Sequence, residues 1–170
     1  VFDNKVILGT RARKTRTKSF NAFSSIDYPE TAVFRDMRLI PFLRRPDPMP
    51  PVQFYGQLDP AVFVLRLVPG MRADIIPLLA PHYRALVVES FGVGGLPGGE
   101  HGEMYARLQD WCTSGRLAVF TTQVPHEGCD LAVYEVGRSV KELPGVLEAK
   151  DMTPEAVAVK LMWALGQTTD

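Results

Sequence analysis

The chain has little cysteine and no long apolar run, and both absences narrow its class. Its 170 residues include only two cysteines, Cys112 and Cys129. Neither lies in a CxxC or zinc-like spacing, which excludes a disulfide scaffold and a cysteine metal site. No apolar run approaches the roughly 20 residues that span a bilayer, and we expect no secretory signal peptide. These features predict a protein of a reducing compartment without a membrane-spanning helix.

The chain also has no net charge, but its two parts carry opposite charges that cancel. The 19 basic side chains balance 19 acidic ones, which argues against a general nucleic-acid binder. The apolar fraction of 46% argues against a disordered chain. Residues 1–46 nevertheless hold ten basic and four acidic side chains, a net of +6, whereas 47–170 hold nine and fifteen, a net of −6. Two stretches of opposite sign predict two structural units.

Proline marks the boundary between these stretches. Arg44–Pro51 contains four prolines in eight residues, and such a segment cannot be helical because proline lacks the backbone N–H and clashes with the preceding turn. We therefore assign residues 44–53 to an extended linker. It separates a β-rich segment, residues 1–43, from an α/β domain, residues 54–170.

The two sides of the linker differ in their patterns. Before it, apolar pairs around a polar turn at residues 3–5 predict a hairpin, and residues 31–43 predict one or two short strands. After it, buried-type strands alternate with helices, which predicts a small doubly wound α/β domain with a mostly parallel sheet. The predicted strands are 62–68, 85–89 and 117–121, and the predicted helices are 72–79, 100–114, a short one near Ser139–Leu143, and one that begins at Pro154 with Thr153 as its N-cap.

A basic run, Arg11–Lys18, places five cations in eight residues. The run is compatible with a solvated face, with a phosphate-binding arm, or with one lysine used for proton transfer. Because Ala12 alternates with Arg11 and Arg13 as on a strand, Lys14 should face away from Arg13. The residues alone leave these three alternatives open.

Polar residues also follow a predicted strand. Thr121, Thr122 and Gln123 end the strand and enter a loop, where hydroxyl and amide groups could border a ligand, although threonine is equally explained by its preference for strands. The glycine-rich loop 91–99 lacks the GxGxxG pattern of a dinucleotide site and predicts a structural loop near a ligand or partner. The three histidines, His82, His101 and His126, are far apart, so we expect no metal and no cofactor.

An ordered set of short motifs resembles the type I L-asparaginases, the cytosolic bacterial group and its animal relatives. The match covers nearly the whole chain, although each motif is weak alone. The motifs are Gly9–Lys14 (GTRARK), Phe20–Phe23 (FNAF), the proline linker, Val68–Asp74, Ser90–Gly94, Thr122-Gln123, Tyr134 with Gly137, and Asp151–Thr153.

The resemblance implies an architecture and a reaction. Residues 1–43 would end a larger doubly wound domain, and the active site would lie between this domain and the small domain of a neighbouring subunit, in a dimer or tetramer. A threonine would attack the side-chain amide of L-asparagine and release ammonia, and water would hydrolyse the acyl-enzyme to aspartate. Lys14 would match the catalytic lysine, Tyr134 would reach the neighbour's active site, and Thr122 and Gln123 would border the substrate.

The same resemblance implies what this stretch lacks. The nucleophilic threonines and an aspartate would precede Val1, so this stretch alone should be inactive. A cytoplasmic location, a small amide substrate, a homo-oligomer and no nucleic-acid or membrane partner are expected. Gly95 departs from the usual Asn of the family, while Glu89 and Val124 replace the Arg and Cys of allosteric members, so cooperativity is not implied. Two alternatives remain: a non-catalytic binding or assembly module, and the amidase subunit of a tRNA-dependent amidotransferase.

Overall fold

The structure, a computed structural model, describes residues 1–43, 49, 51–98 and 102–168. The chain divides into two compact units, Val1–Gly56 and Gln57–Asp170. Of the predicted linker, residues 44–53, positions 44–48 and 50 lie outside the described residues.

The first unit consists of short antiparallel strands. They form a three-stranded sheet of order β1-β4-β5 and a two-stranded sheet of β2 and β3. The elements are β1 (Lys5–Val6), a 3₁₀ turn (Gly9–Arg11), β2 (Ala12–Lys14), β3 (Phe23–Ser25), β4 (Ala32–Arg35) and β5 (Arg38–Pro41).

Tight turns organise the three-stranded sheet. The predicted hairpin at the start of the chain is present as one antiparallel bridge between Phe2 and Lys5, while β1 itself pairs with β4. Residues 31–43, predicted to form one or two short strands, form two, β4 and β5, which are joined at Asp36 and Met37. Both residues have positive φ, 50° and 60°, as a two-residue hairpin turn requires.

The second unit is built on a four-stranded parallel sheet of order β6-β7-β8-β9. This confirms the predicted α/β class with a mostly parallel sheet, preceded by β-rich structure. The elements are β6 (Val62–Arg66), α1 (Ile75–Leu79), β7 (Ala85–Ser90), α2 (Glu103–Thr113), β8 (Leu117–Thr122), α3 (Glu135–Lys141), β9 (Val146–Glu148) and α4 (Pro154–Gly166).

Helices cover both faces of this sheet, and each face has its own core. On one face, Val88 and Phe120 pack with residues of α1, α2 and α3. On the other face, Val87 and Val119 pack with Val157 and other residues of α4. Every residue of β7 is buried, which explains why its first four residues, Ala85–Val88, are continuously apolar rather than alternating.

Helix α4 begins as its sequence predicts. The Thr153 side chain accepts a hydrogen bond from the backbone N–H of Ala156 at 3.3 Å, and Pro154 occupies the first turn. The hydroxyl satisfies an N–H that has no partner within the helix, and proline loses nothing there because its missing N–H would be unpaired.

The structure differs from the sequence prediction at two helices and one strand, besides strand and helix ends that move by one or two residues. Helix α1 begins at Ile75 rather than at residue 72, because Pro77 is tolerated only in a first turn. Helix α3 spans Glu135–Lys141 rather than the vicinity of Ser139–Leu143. Strand β9 was not predicted; its three residues are identified by their pairing with β8. The start predicted for α2, residue 100, lies outside the described residues.

Candidate functional site

Polar residues collect at the carboxyl edge of the parallel sheet, where ligands bind in open α/β folds. Four of them are buried: Glu89, Ser90, Thr121 and Thr122. The pairing of β7 with β8 sets Glu89 beside Thr121 and Ser90 beside Thr122. This edge therefore concentrates hydrogen-bonding groups at the ends of two adjacent central strands.

Thr122 and Gln123, the two residues predicted to border a substrate, brace this edge. The Gln123 amide donates hydrogen bonds to the carbonyl oxygens of Leu67 at 2.6 Å and Glu89 at 3.0 Å. The Thr122 hydroxyl donates to the Gly92 carbonyl and accepts from the Val124 N–H. Both side chains thus hold the ends of β6 and β7 and the following turn in place.

The remaining buried polar groups of the edge are only partly paired. The Ser90 hydroxyl donates to the Thr121 carbonyl at 2.9 Å. Glu89 faces Arg66, with 3.6 Å between Oε2 and the guanidinium nitrogen, and the exposure of Arg66 limits what this ion pair contributes to stability. In the described part of the chain, the buried Thr121 hydroxyl has no hydrogen-bond partner.

A short segment, Cys129–Tyr134, lies against the turn that follows β7. The Cys129 thiol and the Asp130 N–H both donate to the Val93 carbonyl, at 3.4 Å and 3.1 Å, and the Cys129 N–H donates to the Lys150 carbonyl at 2.9 Å. Since Thr122 binds the neighbouring Gly92 carbonyl, the turn connects the sheet edge to the Cys129–Tyr134 segment.

Leu131 is the fully buried centre of this segment. A Cβ at Gly94 would stand 2.7 Å from the Leu131 Cδ2 atom, and a Cβ at Gly137 would overlap the Leu131 carbonyl oxygen. Glycine at both positions therefore allows a loop and a helix to pack directly on Leu131. The sequence pattern had assigned Gly94 to a glycine-rich loop without identifying this contact.

Glu148 at the end of β9 supplies a third contact to Leu131. Its Oε1 atom accepts a hydrogen bond from the Leu131 N–H at 2.7 Å, and its Oε2 atom lies 3.1 Å from the Lys141 Nζ and 2.6 Å from the Lys150 Nζ. Burial raises the pKa of Glu148, but the hydrogen bonds from Lys150, the Leu131 N–H and Lys141 outweigh it and hold the pKa below its ordinary value. The carboxylate is therefore charged and has three donors.

Tyr134 projects from the end of this anchored segment. It is the N-cap residue of α3, and 59% of its surface is exposed. Only two residues separate it from the buried Leu131. The phenol is therefore open to solvent, or to a second molecule, on a well-supported stretch of backbone.

Lys14 lies in the first unit, apart in sequence from the other predicted site residues. It ends β2 opposite Phe23 of β3, and its side chain is exposed. As predicted from alternation, Lys14 and Arg13 lie on opposite faces of the strand. Within the basic run, Arg16 donates to the Asn21 carbonyl at 3.0 Å, and the Arg11 guanidinium stands 5.6 Å from the centre of the Tyr28 ring.

The sequence reasoning missed Leu131 and Glu148. Neither belongs to a motif, and Glu148 lies in the strand that was not predicted. One signal was available: Gly137 follows Tyr134 by three residues, and a glycine inside a helix indicates a close backbone contact.

The described residues include neither a metal-binding cluster nor an activated cysteine. Among the described residues, no group of three or more His, Cys, Asp and Glu side chains could hold a metal ion; His101 lies outside them. Burial raises the pKa of both thiols, Cys112 and Cys129, to about 11, so neither is an activated nucleophile. Within residues 1–43, 49, 51–98 and 102–168, no helix combines the length and apolar character needed to cross a bilayer.

Comparison with known sequences identifies related proteins. The family model of the glutaminase/asparaginase C-terminal domain matches residues 61–170. An L-asparaginase of Thermococcus kodakarensis is 37% identical over 173 residues, which cover 99% of this chain and 51% of that protein. A glutamyl-tRNA(Gln) amidotransferase component from Metallosphaera sedula is 35% identical over 95% of this chain and 37% of its own length. The chain thus spans about half the length of the first relative.

Solved structures agree with the sequence matches. The thermostable L-asparaginase from Thermococcus kodakarensis superposes with a TM-score of 0.90 at 36% identity, over 99% of this chain and 51% of that one. L-asparaginase I from Vibrio cholerae has a TM-score of 0.78 at 28% identity, over 98% and 50%. The resemblance inferred from the ordered motifs is confirmed.

Proposed function

This chain belongs to the glutaminase/asparaginase family, and from that premise we propose that its full-length protein hydrolyses the side-chain amide of L-asparagine to L-aspartate and ammonia. The observation that carries the proposal is the 37% identity to an L-asparaginase across 99% of the chain. That likeness extends beyond the matched domain to the first unit, which carries Lys14.

The proposed reaction proceeds through an acyl-enzyme. A threonine upstream of this chain attacks the amide carbonyl, the amide nitrogen takes up a proton and leaves as ammonia, and water then releases the acid and restores the hydroxyl. We assign Lys14 to proton transfer at that threonine. Its position at the end of β2, with an exposed side chain, is compatible with reaching groups outside the described chain.

The second unit contributes the residues that would approach a neighbouring subunit. In this proposal the protein is a homo-oligomer, and Tyr134 reaches the active site of the next subunit. Its support is the exposure of the phenol at the start of α3. In the same proposal Thr122 and Gln123 border the substrate, and their hydrogen bonds hold the carboxyl edge of the sheet.

The proposal also assigns the two units and a location. We assign residues 1–43, within the first unit Val1–Gly56, to the end of a catalytic N-terminal domain, and residues 54–170, which include the second unit Gln57–Asp170, to the small C-terminal domain. We propose a cytoplasmic protein, because Cys112 and Cys129 are both buried free thiols, as expected in a reducing compartment.

Ammonia release tests the proposal directly. The full-length protein should release ammonia from L-asparagine, with L-glutamine measured in parallel to define the preferred amide. The 170-residue chain alone should release none, since the threonine nucleophile lies outside it. A full-length protein without turnover on L-asparagine would refute the proposal, and turnover by the chain alone at a comparable rate would refute the upstream nucleophile.

A second candidate is the amidase component of a tRNA-dependent amidotransferase. It is favoured by relatives that are components of glutamyl-tRNA(Gln) amidotransferases, at 35% identity in Metallosphaera sedula and 33% in Pyrococcus furiosus. This function predicts that the basic run Arg11–Lys18 contributes to tRNA binding, and that the binding weakens steeply as salt rises. A gel shift with tRNA across a salt series, repeated with Arg16→Gln and Lys18→Gln, separates the two candidates.

A further inference from the structure

We propose that Glu148 is a positioning residue for Tyr134: it fixes Leu131, and through Leu131 it fixes the short segment that presents the phenol. The inference deepens the proposed function and rests on it, because it concerns the residue that would reach a neighbouring active site. Three features of the structure support it: the anchor at Glu148, the contact shared at Leu131 and the attachment of α3.

The anchor is rigid because Glu148 belongs to the parallel sheet. Its backbone pairs with Phe120 of β8, and the next residue, Ala149, donates to the Phe120 carbonyl at 2.8 Å. From this base the carboxylate accepts the Leu131 N–H. Leu131 is fully buried, so loss of this acceptor would leave a buried donor unpaired, which strongly disfavours the present loop conformation.

Leu131 is the contact shared by both sides of Tyr134. On the amino-terminal side, the Asp130 side chain accepts the Ala132 N–H at 2.9 Å and tightens the chain around Leu131. On the carboxyl-terminal side, α3 packs through Gly137 against the Leu131 carbonyl. Tyr134 lies between these two supports. A shift of Leu131 therefore moves both ends of the stretch that carries the phenol.

Glu148 also holds the far end of α3. Lys141 is the last residue of the helix, and its ammonium group lies 3.1 Å from the Glu148 Oε2 atom. Lys150 approaches the same oxygen from the other side at 2.6 Å. The two exposed lysines add modestly to stability, but they orient the carboxylate so that Oε1 faces Leu131. One side chain thus ties the segment before Tyr134 to the helix after it.

A double-mutant cycle in the full-length enzyme tests the inference with L-asparagine as substrate. Tyr134→Ala should raise KM about tenfold, and Glu148→Ala should raise KM several-fold, with a smaller effect of each on kcat. The double variant should match Tyr134→Ala alone, because Glu148 acts through Tyr134. Glu148→Gln retains an oxygen for Leu131 and should recover most of the loss. Glu142→Ala, an exposed change at the end of α3, should leave both constants unchanged.

Hydrogen exchange of residues 129–134 provides a readout independent of activity. Exchange in this segment should be about tenfold faster in Glu148→Ala than in the wild type or Glu142→Ala. Should Glu148→Ala fail to fold, Glu148→Asp serves as the milder variant: its carboxylate is one methylene shorter and draws back from the Leu131 N–H, so exchange should rise in the same direction. Unchanged exchange, or additive effects on KM in the double variant, would overturn the inference.

The outcomes separate this inference from the proposed function. A full-length protein that releases no ammonia from L-asparagine refutes the function, and the exchange measurement then decides the inference alone. An active protein in which Tyr134→Ala changes neither constant overturns the inference but leaves the hydrolysis standing.

Discussion

The backbone carbonyl of Leu131 occupies the space that a Cβ on Gly137 would need. Helix α3 therefore packs on the preceding segment through main-chain atoms, with no side chain between them. This contact places the start of the helix, and Tyr134 with it, at a position that only glycine permits.

Gly137→Ala should destabilise the protein, although the same change inside an unobstructed helix stabilises by about 1 kcal/mol. We expect a loss of about 2 kcal/mol or more, because the backbone of Leu131 must move to admit the methyl group. Urea unfolding would measure it, with the exposed Arg138→Ala as a control expected within about 0.5 kcal/mol of wild type. An unchanged or increased midpoint for Gly137→Ala would contradict this backbone contact.

Lys14→Met should abolish amide hydrolysis in the full-length protein without unfolding it. The side chain is exposed at the end of β2, so its removal costs little stability, whereas loss of a proton-transfer group typically costs about a hundredfold or more in rate. Steady-state ammonia release and a thermal melt would be measured together. Lys18→Met, in the same basic run, is the matched control and should retain activity; near-normal turnover of Lys14→Met would remove Lys14 from the mechanism.

Acid should weaken the contribution of Glu148 to stability. Its pKa in the folded state lies below the ordinary value of 4.5, so the unfolded chain takes up the proton first as pH falls. The stabilisation is complete above the unfolded pKa and is lost as pH falls through the folded one. Of the groups that face the carboxylate, Lys150 stays protonated in this range because its hydrogen bond to Glu148 raises its pKa, and Cys129 stays a neutral thiol because burial raises its pKa to about 11.

Urea midpoints between about pH 3 and pH 7 would test this dependence. The difference between the wild type and Glu148→Gln should be largest near neutral pH and should narrow steadily towards acid. Glu142→Gln should run parallel to the wild type. A constant difference for Glu148→Gln across the range would show that its charge is not involved.

Cys112 and Cys129 should resist thiol reagents while the protein is folded. Burial raises both pKa values to about 11 from 9.0, which lowers the thiolate fraction near neutral pH about a hundredfold before access is considered. Absorbance with a disulfide reagent should show two slow thiols in buffer and two fast ones in guanidinium. Rapid labelling of either thiol in buffer would indicate that its region opens readily.

Thr153→Ala should destabilise α4 by about 1 kcal/mol through loss of its N-cap. Thr113 is exposed and is the last residue of a different helix, α2. Thr113→Ala therefore removes a hydroxyl without removing an N-cap and should have a smaller effect. Denaturant midpoints would compare the two, and equal losses would argue against capping as the cause.

The parts of the fold that follow local rules could be predicted from the sequence. Thr153 and Pro154 mark a helix start by their own chemistry, and the apolar run Ala85–Val88 predicts a buried strand because both faces of β7 are covered. The run Val62–Val68 predicts the same for β6, but that strand ends at Arg66 at the edge of the sheet, where Val64 is 41% exposed. The start of α1 was predicted three residues too early, at residue 72 instead of Ile75. Proline is tolerated only in the first turn of a helix, and the sequence alone does not show that Pro77 lies in that turn. Strand β9 was missed because three residues carry too little pattern and are defined by their partner strand.

The candidate site was less predictable because it depends on contacts between distant residues. Thr122 and Gln123 were identified as strand-end polar residues, but their bonds to Gly92, Leu67 and Glu89 follow from the sheet order. Glu148 lies 17 positions from Leu131 in sequence, and no spacing rule connects them. Lys14 and Tyr134 came from family resemblance, and their roles stay predictions.

The short edge strand β9 has a further consequence for the behaviour of the protein in solution. An open sheet edge offers unpaired N–H and C=O groups to strands of other molecules, and long flat edges promote aggregation. Here the edge is three residues long, it ends beside Lys150, and Lys141 is drawn to it through Glu148. The ion pairs that orient the Glu148 carboxylate thus also place two positive charges beside the edge of the sheet. There they discourage edge-to-edge pairing with strands of other molecules.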